Sequence, residues 1–209
     1  MSRQGTLFVI SAPSGSGKTS LCEALCADMS DVVRSVSCTT RAPRAQERDG
    51  LDYYFISAQQ FAERVTAGDF LEWACVHRHR YGTPRQPIDE ATAAGKDVLL
   101  VIDVQGAAQL RTAGVDAVHV FVLPPSWQAL EERLEEREPG AGTTRSRLAS
   151  ERLAVARQES AQYAAYDYVL INDCFTEALA VLKAIIRAER HRVQRADPAP
   201  ILQLLNSGA

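Results

Sequence analysis

The most constraining feature of this chain is an apolar strand pattern that runs into a loop rich in glycine and serine and then into a helical pattern. The strand covers residues 7–11, and the loop reads APSGSGKT over residues 12–19. Its two glycines let successive backbone N–H groups point at phosphate oxygens, and the positive end of the following helix adds to this attraction. Lys18 supplies a charge for the β- and γ-phosphates, and Thr19 a hydroxyl for Mg²⁺. Ala12 replaces the first glycine of the strict G-x-x-x-x-G-K-[ST] pattern, but the strand–loop–helix context predicts a phosphate-binding loop (P-loop).

Composition narrows the classes of protein to consider. The chain has 209 residues, enough for one compact domain, and a formal net charge of -3. This charge offers no basic surface for nucleic acid. The longest apolar runs are far shorter than the ~20 residues of a membrane span. The first five residues lead directly into the strand and leave no room for a signal peptide, so we expect a cytoplasmic protein without nucleic-acid or membrane partners.

The order of apolar patterns predicts an α/β fold. Strand patterns at 7–11, 98–103, 118–123 and 168–172 each lie next to a helical pattern. This alternation is typical of a parallel sheet with helices on both faces, as in P-loop NTPases. The expected helices cover residues 18–29, 84–94, 106–112, 126–138, 147–163 and 175–192.

Two segments differ from this core in their sequence patterns. Short strand patterns at 32–37, 53–57 and 70–76, with a helix near 59–67, predict an inserted β-rich lobe. Residues 138–144 carry proline, glycine and small polar residues between two helices that bear arginines, and they predict a mobile helical lid. We therefore expect one domain over 1–209, with the core at about 5–31, 95–125 and 166–192, the lobe at about 32–94, the lid at about 126–165 and a tail at about 193–209.

Motifs beyond the P-loop indicate which phosphate acceptor this chain uses. They read SVSCTTRAPR at 35–44, GLDYYF at 50–55, FLEWA at 70–74, YGT at 81–83, IDVQG at 102–106 and PPS at 124–126. In order and spacing they resemble guanylate kinases, and the resemblance extends over about residues 7–192. It implies phosphorylation of GMP, and of dGMP, to the diphosphate by ATP with bound Mg²⁺.

The chemistry of the acceptor residues agrees with this resemblance. Arg41 and Arg44 offer planar donor groups for a phosphate monoester, and Tyr53 and Tyr81 add hydroxyls. Glu72 lies in an apolar strand, where an unpaired carboxylate is costly, and guanine presents two parallel donors that match one carboxylate. An outward-facing Glu72 remains an alternative, because alternation alone does not fix its side of the strand. By resemblance, the base pocket is completed by Ser37, Thr83 and Asp103.

The resemblance also assigns the ATP site and the lid. The residues expected at ATP are Ala12, Pro13, Ser14, Gly15, Ser16, Gly17, Lys18, Thr19, Ser20, Arg133, Asn172 and Asp173, with Thr19 as the metal ligand. The residues expected to act on the transferred group are Lys18, Arg44, Arg137 and Arg152.

Two departures from the family pattern bear on these assignments. Val101 stands where the family commonly has an acidic residue, which affects the handling of Mg²⁺. The lid reads EERE at 135–138 instead of the usual Arg-Gly-Arg-Gly, so Arg145 and Arg147 are alternatives to Arg152.

Two other functions remain open at this point. One is a non-catalytic module of the same fold that binds phosphorylated peptides, although such modules typically have a degraded P-loop. The other is a kinase of related fold acting on a ribose bisphosphate. The sequence does not indicate an oligomeric state.

Overall fold

The computed structural model describes residues 3–76, 78–137 and 143–207, and of residues 137 and 143–148 it describes the backbone alone. In this part of the chain, five parallel strands form the central sheet in the order β2-β7-β1-β8-β9. Four further strands form a second sheet in the order β4-β3-β6-β5. The strands are β1 (Leu7–Ser11), β2 (Val32–Arg34), β3 (Cys38–Thr39), β4 (Tyr54–Phe55), β5 (Phe70–Val76), β6 (His79–Pro84), β7 (Asp97–Val101), β8 (Val118–Leu123) and β9 (Tyr168–Ile171).

The helices agree with the sequence patterns to within a few residues at most ends. They are α1 (Lys18–Asp28), α2 (Ala58–Ala67), α3 (Arg85–Ala93), α4 (Val104–Thr112), α5 (Trp127–Arg137), α6 (Thr143–Ser160), α7 (Phe175–Arg190) and α8 (Pro198–Asn206). A 3₁₀ turn, Ala161–Ala165, follows α6. In the described part of the chain, no helix is long and apolar enough to cross a bilayer.

The central strand β1 is buried on both faces, and this places the P-loop. Phe8 and Ile10 pack with α1 and α7 on one face, whereas Leu7 and Val9 pack with α3 and α4 on the other. Full burial of a large apolar side chain such as Phe8 contributes about 1.5–3 kcal/mol relative to exposure. The P-loop leaves the carboxyl end of this strand, the edge of a parallel sheet where ligands bind.

The second sheet and α2 form a β-rich lobe, but its boundary differs from the one expected. β2 was expected in the lobe, yet its residues pair with Asp97, Val98 and Leu99 of β7 in the central sheet. Ile88 of α3 likewise packs in the core with Val98 and Leu100. A three-residue strand carries too little pattern to indicate which sheet it joins.

Helices α5 and α6 form a small separate core that lies against the P-loop. Leu130 and Leu134 of α5 pack with Ala149, Leu153 and Ala156 of α6, and all five are buried. The same two leucines lie against Gly15. Of the segment 138–144, expected to be the mobile part of the lid, residues 138–142 lie outside the described residues, whereas Thr143 and Thr144 begin α6.

Candidate active site

The P-loop takes a conformation that depends on its glycines. Gly15 and Gly17 have φ values of +93° and +85°, a backbone region that other residues rarely adopt. Gly17 is also the N-cap of α1. The first turn of α1 therefore points its unpaired N–H groups towards the loop, as an anion site requires.

Asn172 holds this loop from the end of β9. Its Nδ2 donates a hydrogen bond to the Ser16 carbonyl oxygen at 2.8 Å, and only 5% of the residue is exposed. A Cβ atom on Gly17 would lie 2.4 Å from Nδ2. Asn172 thus stabilises the conformation of the P-loop, while its contact with ATP remains a prediction.

Lys18 begins α1 and turns its side chain towards the sheet. Its Nζ donates to the carbonyl oxygen of Ile102 at 3.0 Å. Burial lowers the pKa of Lys18, and nearby acidic groups, among them Asp103 and Glu159, act in the opposite direction. The ammonium group therefore lies in a poorly hydrated place where an incoming phosphate would be a strong partner.

The residues predicted to recognise the base form a chain of hydrogen bonds across the lobe sheet. The Thr83 hydroxyl donates to Glu72 Oε1 at 2.5 Å, and the Ser37 hydroxyl lies 3.4 Å from Thr83 Oγ1. Glu72 faces inward and is 6% exposed, so the outward-facing alternative is wrong. Burial raises the pKa of Glu72 to about 7, and the hydrogen bond from Thr83 opposes this rise.

Asp103 lies near Glu72, on the core side of the predicted base pocket. It is the N-cap of α4, and its Oδ1 accepts a hydrogen bond from the Gly106 N–H at 2.8 Å. Its charge contributes to the raised pKa of Glu72, so the two carboxyl groups are close enough to interact. The start of α4 and strand β5 thus meet at the predicted base pocket.

The residues predicted to hold the acceptor phosphate also come together. Arg41 Nε donates to the Tyr81 hydroxyl at 3.3 Å, and the guanidinium lies over the Tyr53 ring with its carbon 5.5 Å from the centroid. Tyr81 and Thr83 are two residues apart on β6, so they face the same side, about 7 Å apart along the strand. The phosphate group and the base therefore have neighbouring places on one face of the lobe.

Glu47 completes this cluster and was not predicted. Its two carboxylate oxygens accept from Nη1 and Nη2 of Arg41 at 2.9 and 2.8 Å, and one of them also accepts from the Arg44 N–H at 2.8 Å. The pair raises the pKa of Arg41 and lowers that of Glu47. Because Glu47 accepts hydrogen bonds from Nη1 and Nη2 of Arg41, the guanidinium is held with its Nε–H directed towards the Tyr81 hydroxyl.

A cavity of about 190 Å³ connects the lobe with the P-loop helix. Its lining includes Thr19 and Val101 from the core and Ser37, Arg44 and Tyr53 from the lobe. The P-loop side and the acceptor side of the predicted site thus face the same space. Val101, at the end of β7, adds an apolar wall where the family commonly has a carboxylate.

Helix α6, part of the predicted lid, contributes two polar groups next to the P-loop. Arg152 Nη2 donates to the Ser14 hydroxyl at 2.5 Å. Glu159, seven residues later on α6 and therefore on the same face, interacts electrostatically with Lys18 and lies near the Ser14 backbone. Burial raises the pKa of Glu159. No sequence motif indicated this carboxylate, which becomes significant only once α6 is packed on the P-loop.

The remaining predicted residues occupy more ordinary positions. Ala12 and Pro13 are buried in the loop, Ser20 is exposed on α1, Arg133 is half-buried on α5, and Asp173 is exposed after β9. The side chains of Arg137, Arg145 and Arg147 lie outside the described residues. Among the described side chains, Arg152 is a predicted lid arginine that lies at the P-loop.

Comparison with known proteins decides the family. The sequence model of the guanylate kinases matches residues 4–189. The chain belongs to the guanylate kinase family. It is 48% identical over 196 residues to the guanylate kinase of Sphingopyxis alaskensis, covering 93% of this chain and 87% of that protein. It is 46% identical over 206 residues to that of Symbiobacterium thermophilum, covering 99% and 96%.

A solved structure supports the same assignment at the level of the fold. The crystal structure of guanylate kinase from Anaplasma phagocytophilum superposes with a TM-score of 0.78 at 32% identity, covering 96% of this chain and 94% of that one. The predicted α/β fold with a parallel sheet and helices on both faces is confirmed. The guanylate kinase resemblance drawn from the motifs is confirmed as well.

Proposed function

We propose that this chain transfers the γ-phosphoryl group of ATP to the phosphate of GMP, forming ADP and GDP. Membership of the guanylate kinase family and close to half identity with named guanylate kinases support this activity. We extend the proposal to dGMP, because the proposed acceptor contacts fall on the base and the phosphate and none on the ribose. The division into core, acceptor lobe and lid is part of this proposal, with β2 and α3 assigned to the core.

The observation that carries the proposal is the pairing of a buried carboxylate with a cationic cradle on one face of the lobe. Glu72, held by Thr83, matches the two donors of guanine, N1–H and the 2-amino group. Adenine presents a lone pair at N1 and would leave the buried carboxylate unpaired, which is costly. Arg41, with Tyr53 and Tyr81, matches the phosphate end of the same nucleotide.

The reaction needs alignment and positive charge more than proton transfer. The attacking oxygen belongs to a phosphate whose second pKa is about 6, so it is already ionised near neutral pH without a general base. Lys18, Arg44 and Arg152 are the cations that we assign to the charge on the transferred group. One such arginine can contribute about 10³–10⁵-fold to the rate.

The lid would protect this chemistry from water. Leu130 and Leu134 lie over the P-loop, and α6 brings Arg152 to Ser14. A covered site strengthens electrostatic contacts and limits transfer of the phosphoryl group to water.

Mg²⁺ fits the residues at the start of α1. Thr19 lines the cavity shared with the lobe, and Glu23, one turn later, lines it as well. In the described ranges, no group of three or more acidic, histidine or cysteine residues could hold a metal ion. Thr19 would hold the ion together with the triphosphate, and the bound Mg²⁺ would supply positive charge to the phosphates.

The test is ADP release by the purified chain with Mg·ATP and one acceptor at a time: GMP, dGMP, AMP or ribose 1,5-bisphosphate, with the product identified. We expect GMP and dGMP to be phosphorylated and AMP to be a poor acceptor. Turnover with the sugar bisphosphate alone would refute the base pocket. An inactive protein that binds GMP would point to a binding module.

A further inference from the structure

Helix α4 docks on the open edge of the lobe sheet, next to the proposed guanine site. β5 is the edge strand of that sheet and pairs on its other side with β6. The Gln109 side-chain amide closes the free edge at Trp73: its Nε2 donates to the Trp73 carbonyl at 2.7 Å, and its Oε1 accepts from the Trp73 N–H at 3.3 Å. These two bonds fix the spacing between α4 and the strand that carries Glu72.

One turn before Gln109, Gly106 faces the Glu72 carboxylate. A Cβ atom at Gly106 would lie 2.3 Å from Oε2 and 3.0 Å from Cδ of Glu72, and 3.3 Å from the Ile102 Cδ1 atom. The carboxylate has little freedom to retreat, because its other oxygen holds the Thr83 hydroxyl at 2.5 Å and the residue is buried. Any side chain at position 106 would therefore displace the group assigned to guanine.

We propose that Gly106 is a specificity-determining position, because the absence of a side chain there leaves room for the Glu72 carboxylate to be oriented for guanine. Gln109 is a positioning residue that fixes the spacing between α4 and β5. This inference rests on the proposed function, because it treats Glu72 as the receptor of the base. Local helix preference does not explain a glycine here, since alanine is the better helix former and the backbone of α4 is regular.

The acceptor IMP isolates this effect. Hypoxanthine keeps the N1–H donor of guanine but lacks the 2-amino group, so IMP can make one of the two hydrogen bonds to a carboxylate. A correctly oriented carboxylate discriminates GMP from IMP, whereas a displaced one loses the second bond. The ratio of kcat/KM for GMP to that for IMP therefore reports the orientation of Glu72, and a general loss of stability does not change it.

The experiment compares Gly106→Ala with the unmodified chain, using GMP, IMP and ATP as the varied substrates. We expect KM for GMP to rise about 5- to 150-fold and the GMP-to-IMP ratio to fall correspondingly. KM for ATP and kcat at saturating GMP should stay within about twofold, because the change removes acceptor binding and leaves the transferring group in place. A thermal melt checks that the variant folds.

Gln109→Ala is a test independent of Gly106→Ala, because it removes both hydrogen bonds to Trp73 without adding atoms. It should shift the GMP-to-IMP ratio in the same direction and by a smaller factor. Thr112→Ala, at an exposed position in the last turn of α4, is the matched control and should leave the ratio unchanged.

The outcomes separate this inference from the proposed function. Absence of GMP phosphorylation in the unmodified chain would contradict the proposed function itself. GMP phosphorylation without preference over IMP, or a folded Gly106→Ala variant with the original GMP-to-IMP ratio, would overturn the role of Gly106. If Gly106→Ala does not fold, an unchanged ratio in Gln109→Ala would overturn the inference that the spacing of α4 and β5 orients the Glu72 carboxylate.

Discussion

Replacement of Glu72 by glutamine should stabilise the fold while it damages base recognition. Burial raises the pKa of Glu72 from its ordinary value of 4.5 to about 7. Above pH 7 the buried carboxyl group is ionised in the folded chain, and the rise in its pKa then corresponds to about 3 kcal/mol of lost free energy of unfolding. Glutamine is neutral at every pH and keeps an oxygen for the Thr83 hydroxyl, so Glu72→Gln should gain up to about 3 kcal/mol at pH 8.

The sign of the pH dependence makes this prediction specific. A carboxyl group whose pKa is raised by folding binds its proton more tightly in the folded state, so its penalty grows as pH rises from 4.5 to 7. The advantage of Glu72→Gln should therefore shrink to about 1 kcal/mol at pH 5. Urea unfolding at both pH values measures it, with the exposed Glu63→Gln as control, which should change stability by less than about 0.5 kcal/mol.

The same variant must also lose its preference for guanine. Its amide presents an NH₂ group to the donors of the base, so KM for GMP should rise and discrimination against AMP should weaken. An advantage in stability that is equal at pH 5 and pH 8 would refute the assignment of a buried, ionisable Glu72. Unchanged selectivity would remove this residue from the base pocket.

Three further variants test the P-loop and the phosphate cradle. Lys18→Ala should lower kcat at least about 100-fold, as expected when a cation at the reacting group is lost, and should change the melting temperature little. A melting temperature as low as that of a core variant would instead indicate a structural role. Glu47→Ala should raise KM for GMP about tenfold with KM for ATP unchanged, because the guanidinium of Arg41 loses its bidentate partner; an unaltered KM in steady-state assays would show that the aromatic contacts alone orient Arg41. Gly17→Ala should raise KM for ATP, since its Cβ atom would lie 2.4 Å from Asn172 Nδ2 and its backbone conformation is unfavourable for alanine. An ATP affinity equal to that of the unmodified chain, measured by calorimetry, would contradict the role of Asn172 in holding the loop.

The P-loop and the base carboxylate could be predicted because their signals are local. Gly15, Gly17 and Lys18 follow a buried strand directly, and the two glycines of the motif themselves supply the positive φ angles of the loop. Glu72 could be singled out because a carboxylate in an apolar strand requires a partner. Its inward orientation was left open, since the register of a strand depends on its neighbours.

Other parts of the site depend on residues that are distant in sequence. Gly106 and Gln109 act on Glu72 and Trp73 across more than thirty positions, and Asn172 reaches Ser16 from the opposite end of the chain. Glu159 reaches the P-loop only because α6 packs on α5 over Gly15. Neither helical periodicity nor a motif indicates which face of α4 or α6 meets these partners.

The sequence by itself determined the α/β class and the P-loop and predicted the acceptor residues, because periodic burial and short motifs lie in neighbouring positions of the chain. The tertiary structure alone decided that β2 joins the central sheet, that Glu47 orients Arg41, and that Gly106 leaves space for the carboxylate of Glu72. These outcomes depend on how closely separate elements approach one another. That approach is fixed by packing of the whole chain, and a shift of about 1 Å between α4 and β5 decides whether a side chain fits at position 106.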